Sequence, residues 1–212
     1  MRQTRSTYIY RGDAVRKRRR IKNVLLAAGV LLAAGLLAGS RGLTSEARAE
    51  RLGDGELELA RNQLERANRI IGYSTTYKIP ADLAGAIHDI ALAEGIEPDL
   101  GFRLVRLESD FNERAVSPVG AVGLTQLMPT TARYFDRSVT REKLYDRETN
   151  LRIGFRYLRT LIREYKGDLK LALLVYNRGP AAVEAALDMG LDPANGYDRI
   201  VMKGYRGQGT VD

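Results

Sequence analysis

The chain has 212 residues, no cysteine, one histidine and a formal net charge of +8. This length is enough for one compact domain with extensions. The lack of cysteine excludes disulfide frameworks and thiolate chemistry, and a single histidine argues against a zinc site or a Ser-His-Asp triad. Any chemistry must come from carboxylates, hydroxyls, amides and backbone groups, so we predict no metal and no cofactor.

The positive charge is confined to the N-terminus. Residues 1–22 contain nine basic residues and one acid, whereas the remaining residues contain 25 of each kind. The body of the chain is therefore neutral and lacks the basic field that holds a polyanion. We predict a basic N-terminal tail over residues 1–22 and no nucleic-acid partner.

An uncharged apolar run follows within residues 23–39. It reads VLLAAGVLLAAGLLA over residues 24–38 and comes directly after the basic flank VRKRRRIK. This order is typical of a membrane segment whose basic side stays in the cytoplasm. As a transmembrane anchor the run is short, since a span needs about 17–25 residues. As a cleaved signal peptide it has an unusually long basic region. We favour the anchor, and both alternatives carry the rest of the chain across the membrane.

Residues 40–72 are predicted to form a linker and a stalk helix. Residues 40–55 are polar and contain glycine, as linkers do. Apolar residues then recur every three or four positions, which indicates an amphipathic helix too short for a coiled coil. These residues are Leu57, Ala60, Leu64, Ala67 and Ile71.

From Pro80 onward the chain carries helix starts and stops, and no run alternates with period two. Pro80 and Pro98 each precede an acidic residue and a stretch with helical periodicity, as at helix N-termini. Asn150 and Asp168 are predicted N-caps of two later helices, and Pro180 begins another. The fold class is therefore mainly α. His88 lies near the apolar face of the first of these helices, where a structural role is expected.

Glu108 is the candidate catalytic residue. On a helical wheel of about 100° per residue, an apolar stripe forms on one side of the helix that begins near Leu100. Arg103, Arg106 and Asp110 fall on the opposite side, and Glu108 lies beside the stripe. Partial desolvation of a carboxyl raises its pKa, which is what a general acid needs. A glutamate that hydrogen-bonds the neighbouring backbone at the helix end, or pairs with an arginine, is the alternative interpretation.

The loop after Glu108 is rich in small and polar residues, among them Ser117, Gly120, Gly123 and Gln126. The glycines leave room for a close backbone approach. Such a loop suits the wall of a groove for a neutral, hydroxyl-rich substrate. A packed helix–loop–helix corner would use the same glycines.

The stretch ESDFNERAVSPVGAVGLTQLMPTTA, residues 108–132, resembles the signature of the soluble lytic transglycosylase family, which has a lysozyme-like fold related to goose-type lysozyme. Residues 150–158, NLRIGFRYL, and residues 175–180, VYNRGP, resemble two later blocks of that family in the same order. The resemblance covers about residues 73–205. It implies a lysozyme-like catalytic domain over residues 73–206, followed by a flexible tail over residues 207–212.

This resemblance implies an enzyme that cleaves the β-1,4 bond between N-acetylmuramic acid and N-acetylglucosamine in peptidoglycan glycan strands, leaving a 1,6-anhydro end. It assigns Glu108 as the sole general acid and base, without a second carboxylate. Substrate contacts are implied at Ser117, Gln126, Met128, Tyr176 and Asn177; Tyr197 is added as a stacking candidate because the chain has no tryptophan. With the anchor, the implied location is the inner membrane with the catalytic domain on the periplasmic side, or the periplasm after signal cleavage. The sequence does not identify a protein partner.

Two positions depart from the family pattern. Thr125 stands where the family commonly has methionine, and Arg178 stands where it has a small residue. We expect Thr125 to make the groove more polar, and Arg178 to contact peptide carboxylates or to point to solvent. A hydrolysing muramidase and a non-catalytic peptidoglycan-binding scaffold are the alternative functions.

Overall fold

A computed structural model describes residues 54–211. The predicted basic tail and apolar segment, and the linker up to residue 53, lie outside the described residues. Residues 54–211 form eight α-helices and one 3₁₀ helix, with isolated bridges in place of strands, which confirms the mainly α class. None of these helices has both the length and the hydropathy that a membrane span requires. The α-helices are α1 (Asp54–Tyr77), α2 (Ala81–Ala93), α3 (Pro98–Ser109), α4 (Pro129–Phe135), α5 (Arg147–Glu164), α6 (Leu169–Arg178), α7 (Pro180–Asp188) and α8 (Tyr197–Met202), and the 3₁₀ helix is Glu142–Tyr145.

The chain divides at Leu64 into two units, and the second unit, residues 65–212, holds the remaining helices. The part of α1 in this unit packs through Ile70, Tyr73 and Tyr77. The ring of Tyr73 stacks on that of Phe102 with centroids 4.0 Å apart. Ile71, which the predicted stripe placed on the packing face, is 58% exposed. The face of α1 that packs on the domain therefore contains Ile70 and the aromatic residues, and not the predicted Ile71.

The main core lies between α2, α3, α5 and α6. Phe102 and Phe155 are its largest buried side chains. A second, smaller cluster of buried apolar side chains lies under the loop that follows α3. Its members are Val122, Leu127, Ala132, Val139, Leu144 and Ile153. This cluster gives the loop a core of its own, so the loop is packed on both α4 and α5.

Aspartates cap the two helices that carry the later sequence blocks. The Asp146 carboxylate accepts a hydrogen bond from Thr149 N at 2.9 Å, and the Asp168 carboxylate accepts one from Leu171 N at 2.9 Å. Asp168 was predicted as a cap, but Asn150 was wrongly predicted as one. The helix α5 begins four residues earlier than the prediction, so Asn150 lies inside it and is buried.

The last described residues are held against the N-terminus of α3. The Glu97 carboxylate accepts hydrogen bonds from Tyr205 Oη at 2.6 Å and from Gln208 N at 2.9 Å. Glu97 N in turn donates to Gly209 O at 3.0 Å. Residues 207–211, expected from the sequence as part of a flexible tail, are thus fixed by one carboxylate and a backbone bridge.

Candidate active site

Glu108 lies in the last turn of α3. Pro98 at the first helical position and Asp99 in the first turn favour the start of this helix. The helix ends because Asp110 and Phe111 adopt positive φ angles of 48° and 64°, which redirect the chain into the following loop. The turn leaves Asp110 exposed and keeps Glu108 half-buried beside Leu104 and Val105, which are fully buried. The predicted division of the two acids between a buried side and an exposed side is therefore present.

Burial raises the pKa of the Glu108 carboxyl from 4.5 to about 7. A hydrogen bond from Tyr197 opposes this change, because it favours the ionised carboxylate. Within residues 54–211, no charged side chain contributes to this change of the pKa. A carboxyl with this pKa is about half protonated at neutral pH, so it can donate a proton there and take one back.

Tyr197, the first residue of α8, donates its hydroxyl hydrogen to Glu108 Oε1. The residue is 8% exposed. Burial, followed by the neighbouring Glu108 charge, holds the pKa of the Tyr197 hydroxyl well above its usual range, so it stays a hydrogen-bond donor. Among the described residues Glu108 Oε2 has no hydrogen-bond partner. One carboxyl oxygen is thus fixed and the other is available.

The loop that faces Glu108 is organised by Asn150, a buried residue of α5. Its Oδ1 accepts from Thr125 N at 2.9 Å and from Thr125 Oγ1 at 2.8 Å. Its Nδ2 donates to Val122 O and Leu144 O, each at 2.9 Å. All the amide's usual hydrogen bonds are therefore used to hold the loop on α5.

Two glycines permit this close approach. A Cβ on Gly123, whose φ is 79°, would come within 2.3 Å of Asn150 Nδ2. A Cβ on Gly154 would come within 2.3 Å of Thr125 Oγ1. Gly154 lies one helical turn after Asn150, so the two residues share one face of α5. The Asn150 amide on this face binds the loop, and the missing side chain of Gly154 leaves space for Thr125.

Two further hydroxyls fix the loop beside Glu108. Ser109 Oγ donates to Leu124 O at 2.8 Å, and Tyr176 Oη donates to Thr125 O at 2.9 Å. The charge of Glu108 contributes, after burial, to a Tyr176 pKa well above the usual range, which indicates that the two side chains are neighbours. The loop, α3 and α6 therefore meet at the catalytic candidate.

The predicted contact residues fall into three groups. Gln126, Met128, Tyr176 and Asn177 line one cavity of about 210 Å³, together with Tyr157 and residues 178–180. Ser117 lies away from this cavity, in a turn where its Oγ accepts from Ala121 N at 3.0 Å. Tyr197 is set against Glu108. The structure thus brings together four of the six predicted substrate contacts.

Gln126 also has a structural part in the loop. Its backbone has a φ of 47°, and its Nε2 donates to Gly123 O at 3.0 Å and to Ala115 O at 3.2 Å. Both acceptors lie in the same loop as Gln126, so these bonds fix the conformation of the loop. The side chain therefore stabilises the part of the cavity wall that it lines.

One expectation about the groove was wrong. Thr125 does not make the groove more polar, because it is fully buried and its hydroxyl is bound to Asn150. Arg178 is exposed and lines the cavity, and its guanidinium donates to Pro193 O at 2.5 Å. That bond ties the end of α6 to the segment before α8. Asn177 makes a parallel tie, since its Oδ1 accepts from Asn195 Nδ2 at 2.8 Å.

Sequence reasoning missed the part played by Asn150 and Gly154. The signal was present in their spacing of four residues, but the asparagine was interpreted as a cap. Within residues 54–211, no three His, Cys, Asp or Glu side chains are grouped as a metal site requires.

Comparisons with known proteins identify the family of the chain. Residues 85–190 match the family described as the transglycosylase SLT domain. The chain is 31% identical over 167 residues to the membrane-bound lytic murein transglycosylase C of Actinobacillus pleuropneumoniae serotype 5b, covering 67% of this chain and 45% of that protein. It is 34% identical over 90 residues to the soluble lytic murein transglycosylase of Escherichia coli K12, covering 40% of this chain and 14% of that protein.

Among solved structures, the 70 kDa soluble lytic transglycosylase of Escherichia coli aligns with 26% identity and a TM-score of 0.49, covering 58% of this chain and 23% of that one. The chain spans less than half the length of the two lytic murein transglycosylases. The family match covers half of the chain and includes Glu108, the loop held by Asn150 and Tyr176. The chain belongs to the transglycosylase SLT domain family.

Proposed function

We propose that this protein is a peptidoglycan lytic transglycosylase. It cleaves the β-1,4 bond between N-acetylmuramic acid and N-acetylglucosamine and leaves a 1,6-anhydromuramic acid end. The observation that carries the proposal is Glu108, a half-buried carboxyl with a pKa of about 7 and one oxygen fixed by Tyr197. Membership of the SLT family and the names of its relatives support the same reaction.

The geometry of Glu108 suggests how the proton moves. With Oε1 held by Tyr197, protonated Oε2 donates its proton to the glycosidic oxygen as the bond from that oxygen to C1 breaks. The resulting carboxylate then accepts the proton of the muramic acid C6 hydroxyl as that oxygen bonds to C1. The proton lost in the first step is regained in the second, and no water is consumed.

Among the described residues, no neighbouring acid contributes to the raised pKa of Glu108, which supports this route over hydrolysis. Glycosidases that hydrolyse normally place two carboxylates about 5–9.5 Å apart across the bond. Asp110, the nearest acid along the chain, is exposed at the point where the chain leaves α3. We infer that the N-acetyl group of the substrate assists at C1 in place of the second carboxylate.

The cavity residues receive the glycan in this proposal. Met128, Tyr176 and Asn177 offer an apolar surface, an aromatic ring and an amide, a combination that suits a sugar ring. Ser117 and Gln126 act through the shape of the loop. Tyr197 is a positioning residue, since it acts on substrate through Glu108.

We also propose that residues 73–206 form the catalytic domain on the periplasmic side of the inner membrane. Residues 24–38 would anchor it, with residues 1–22 in the cytoplasm and residues 40–72 as linker and stalk. The name of the Actinobacillus relative, a membrane-bound enzyme, supports an anchored form. Release to the periplasm after signal cleavage is the alternative. Fractionation of cells, with an antibody to the catalytic domain and mass measurement of the mature N-terminus, distinguishes the two.

Product analysis tests the reaction. Purified peptidoglycan is incubated with the full chain, and the new glycan ends are measured by mass spectrometry. We expect anhydro ends with wild type, none with Glu108→Gln, and wild-type amounts with the matched exposed variant Asp110→Asn. Reducing ends, heavier by one water, would contradict the proposal and identify a muramidase. Glycan binding without any cleavage by wild type would identify a scaffold.

A further inference from the structure

Asp198 is a buried acid that the proposed reaction does not use. It follows Tyr197 on α8 and is 2% exposed. Its Oδ1 is buried and has no hydrogen-bond partner among the described residues. Adjacent side chains on a helix point about 100° apart, so Asp198 and Tyr197 leave α8 in different directions. Tyr197 reaches Glu108, whereas Asp198 lines a separate cavity.

A buried carboxylate without a partner destabilises a fold, because the water that it loses is not replaced. A position in the first turn of a helix compensates only weakly, and α8 has only six residues. Asp198 forms no ion pair with any side chain of residues 54–211. Asp198 Oδ1 is therefore a buried hydrogen-bond acceptor that no described side chain of the protein satisfies.

The cavity at Asp198 has a volume of about 550 Å³, which is in the range of small-molecule sites. Its other lining residues are Lys170, Asp192, Ala194, Arg199 and Met202. The Asp192 carboxylate is used locally, since it accepts from Ala194 N at 2.9 Å. Lys170 and Arg199 are exposed and form no ion pair within residues 54–211. One unsatisfied acid thus lies in the wall, and two uncommitted cations lie at the rim.

This distribution of charge selects a class of ligand. A purely anionic ligand would leave Asp198 unsatisfied, and a simple amine would leave both cations unused. A group that carries an ammonium and a carboxylate on one carbon satisfies both sides, because the ammonium meets Asp198 and the carboxylate meets Lys170 or Arg199.

We propose that the Asp198 cavity binds the zwitterionic head of an α-amino acid. Two sources have this chemistry: a free amino acid, and the unlinked end of a diamino acid in a peptide stem of peptidoglycan. The second source rests on the proposed function, whereas the ligand class does not. The site is separate from the glycan cavity, since the two share no lining residue.

Calorimetric titration of the full chain in detergent tests the ligand class, with meso-diaminopimelate as the probe. Pimelate lacks the amines and 1,5-diaminopentane lacks the carboxylates, so both serve as matched controls. We expect binding of diaminopimelate and at least tenfold weaker binding of either control. Absence of diaminopimelate binding, or equal binding of a control, would overturn the proposal.

Variants of the lining residues assign the site. Asp198→Asn keeps the shape and removes the charge, and we expect it to weaken diaminopimelate binding about tenfold or more, as expected for loss of a charge-assisted hydrogen bond. Asp192→Asn, in the same cavity, is the matched control and should stay within about twofold of wild type. Lys170→Ala lies at the exposed rim, leaves the core intact and should also weaken binding. Unchanged affinity in both Asp198→Asn and Lys170→Ala would place the ligand elsewhere and refute the assignment.

A second titration distinguishes the two sources. Soluble uncrosslinked glycan strands are offered to Glu108→Gln, before and after acetylation of their free amines. If acetylated strands bind more weakly than untreated strands, and if Asp198→Asn removes this difference, the source of the ligand is the peptide stem. Equal binding of both preparations, with diaminopimelate still bound, identifies a free amino acid. Both readouts are affinities, so they stay informative even if anhydro ends are never formed and the proposed reaction fails.

Discussion

Replacement of Glu108 by glutamine is expected to make the protein more stable while removing its activity. Glutamine keeps the shape of the side chain and an acceptor for Tyr197, but it is never charged. The Glu108 pKa is about 7 in the folded chain, against an ordinary value of 4.5. Between these values the folded state binds more protons than the unfolded state, so wild-type stability falls as pH rises through this window.

The size of the effect follows from the same two values. At about 1.4 kcal/mol per pH unit over about 2.5 pH units, ionisation of Glu108 costs about 3 kcal/mol above pH 7. Glu108→Gln avoids this cost. The variant should therefore exceed wild type in free energy of unfolding by up to about 3 kcal/mol at pH 8, and by little at pH 4.5. In a chain of this length, 1 kcal/mol corresponds to about 2–4 °C in Tm.

Urea unfolding of the full chain in detergent at pH 4.5, 6 and 8, followed by circular dichroism, measures this difference. Asp110→Asn is the matched control, because Asp110 is exposed two residues further along and asparagine tolerates its positive φ. We expect the control to track wild type at every pH. If Glu108→Gln raised the free energy of unfolding equally at pH 4.5 and pH 8, or lowered it at pH 8, the buried charge of Glu108 would not be the cause of the stability difference.

Four further predictions concern the same site. The rate of anhydro-end formation should fall as pH rises through about 7, because Glu108 loses its proton there; a midpoint near 4.5 would contradict the burial argument. Tyr197→Phe removes the bond that lowers the Glu108 pKa, so the midpoint should move upward in a ¹³C NMR titration of Glu108, and an unmoved midpoint would exclude this coupling. Asn150→Ala leaves several buried groups unpaired and should reduce the unfolding free energy by about 3 kcal/mol or more; a loss below about 1 kcal/mol in urea unfolding would contradict it. Gly123→Ala should destabilise far more than Gly167→Ala, since both positions have positive φ but only Gly123 meets Asn150; equal losses in the same assay would mean that backbone strain dominates.

The sequence predicted what depends on local periodicity. Helical spacing placed Glu108 beside an apolar stripe and Asp110 away from it, and the structure has this division because α3 is regular up to Ser109. Most helix boundaries were also predictable, since proline and aspartate fix the start of a helix through short-range chemistry. The mainly α class followed from the same signals.

What the sequence did not reveal depends on contacts between distant residues. Tyr197 was proposed as a sugar-stacking residue, yet its partner is Glu108, 89 positions earlier. Thr125 was expected to make the groove more polar, but a buried amide 25 positions later holds it in the core. Neither partner has a local signature, because a hydroxyl or an amide can bond with any complementary group that the fold brings near.

The fixation of residues 205–211 on Glu97 determines where the chain leaves the catalytic domain. Glu97 immediately precedes α3, whereas Glu108 lies in the last turn of that helix. At about 1.5 Å per residue, the helix separates the two by about 16 Å. A tag, surface tether or further domain attached beyond residue 211 therefore departs from the end of α3 opposite the catalytic carboxyl. Immobilisation through that end should leave long glycan strands free to reach Glu108.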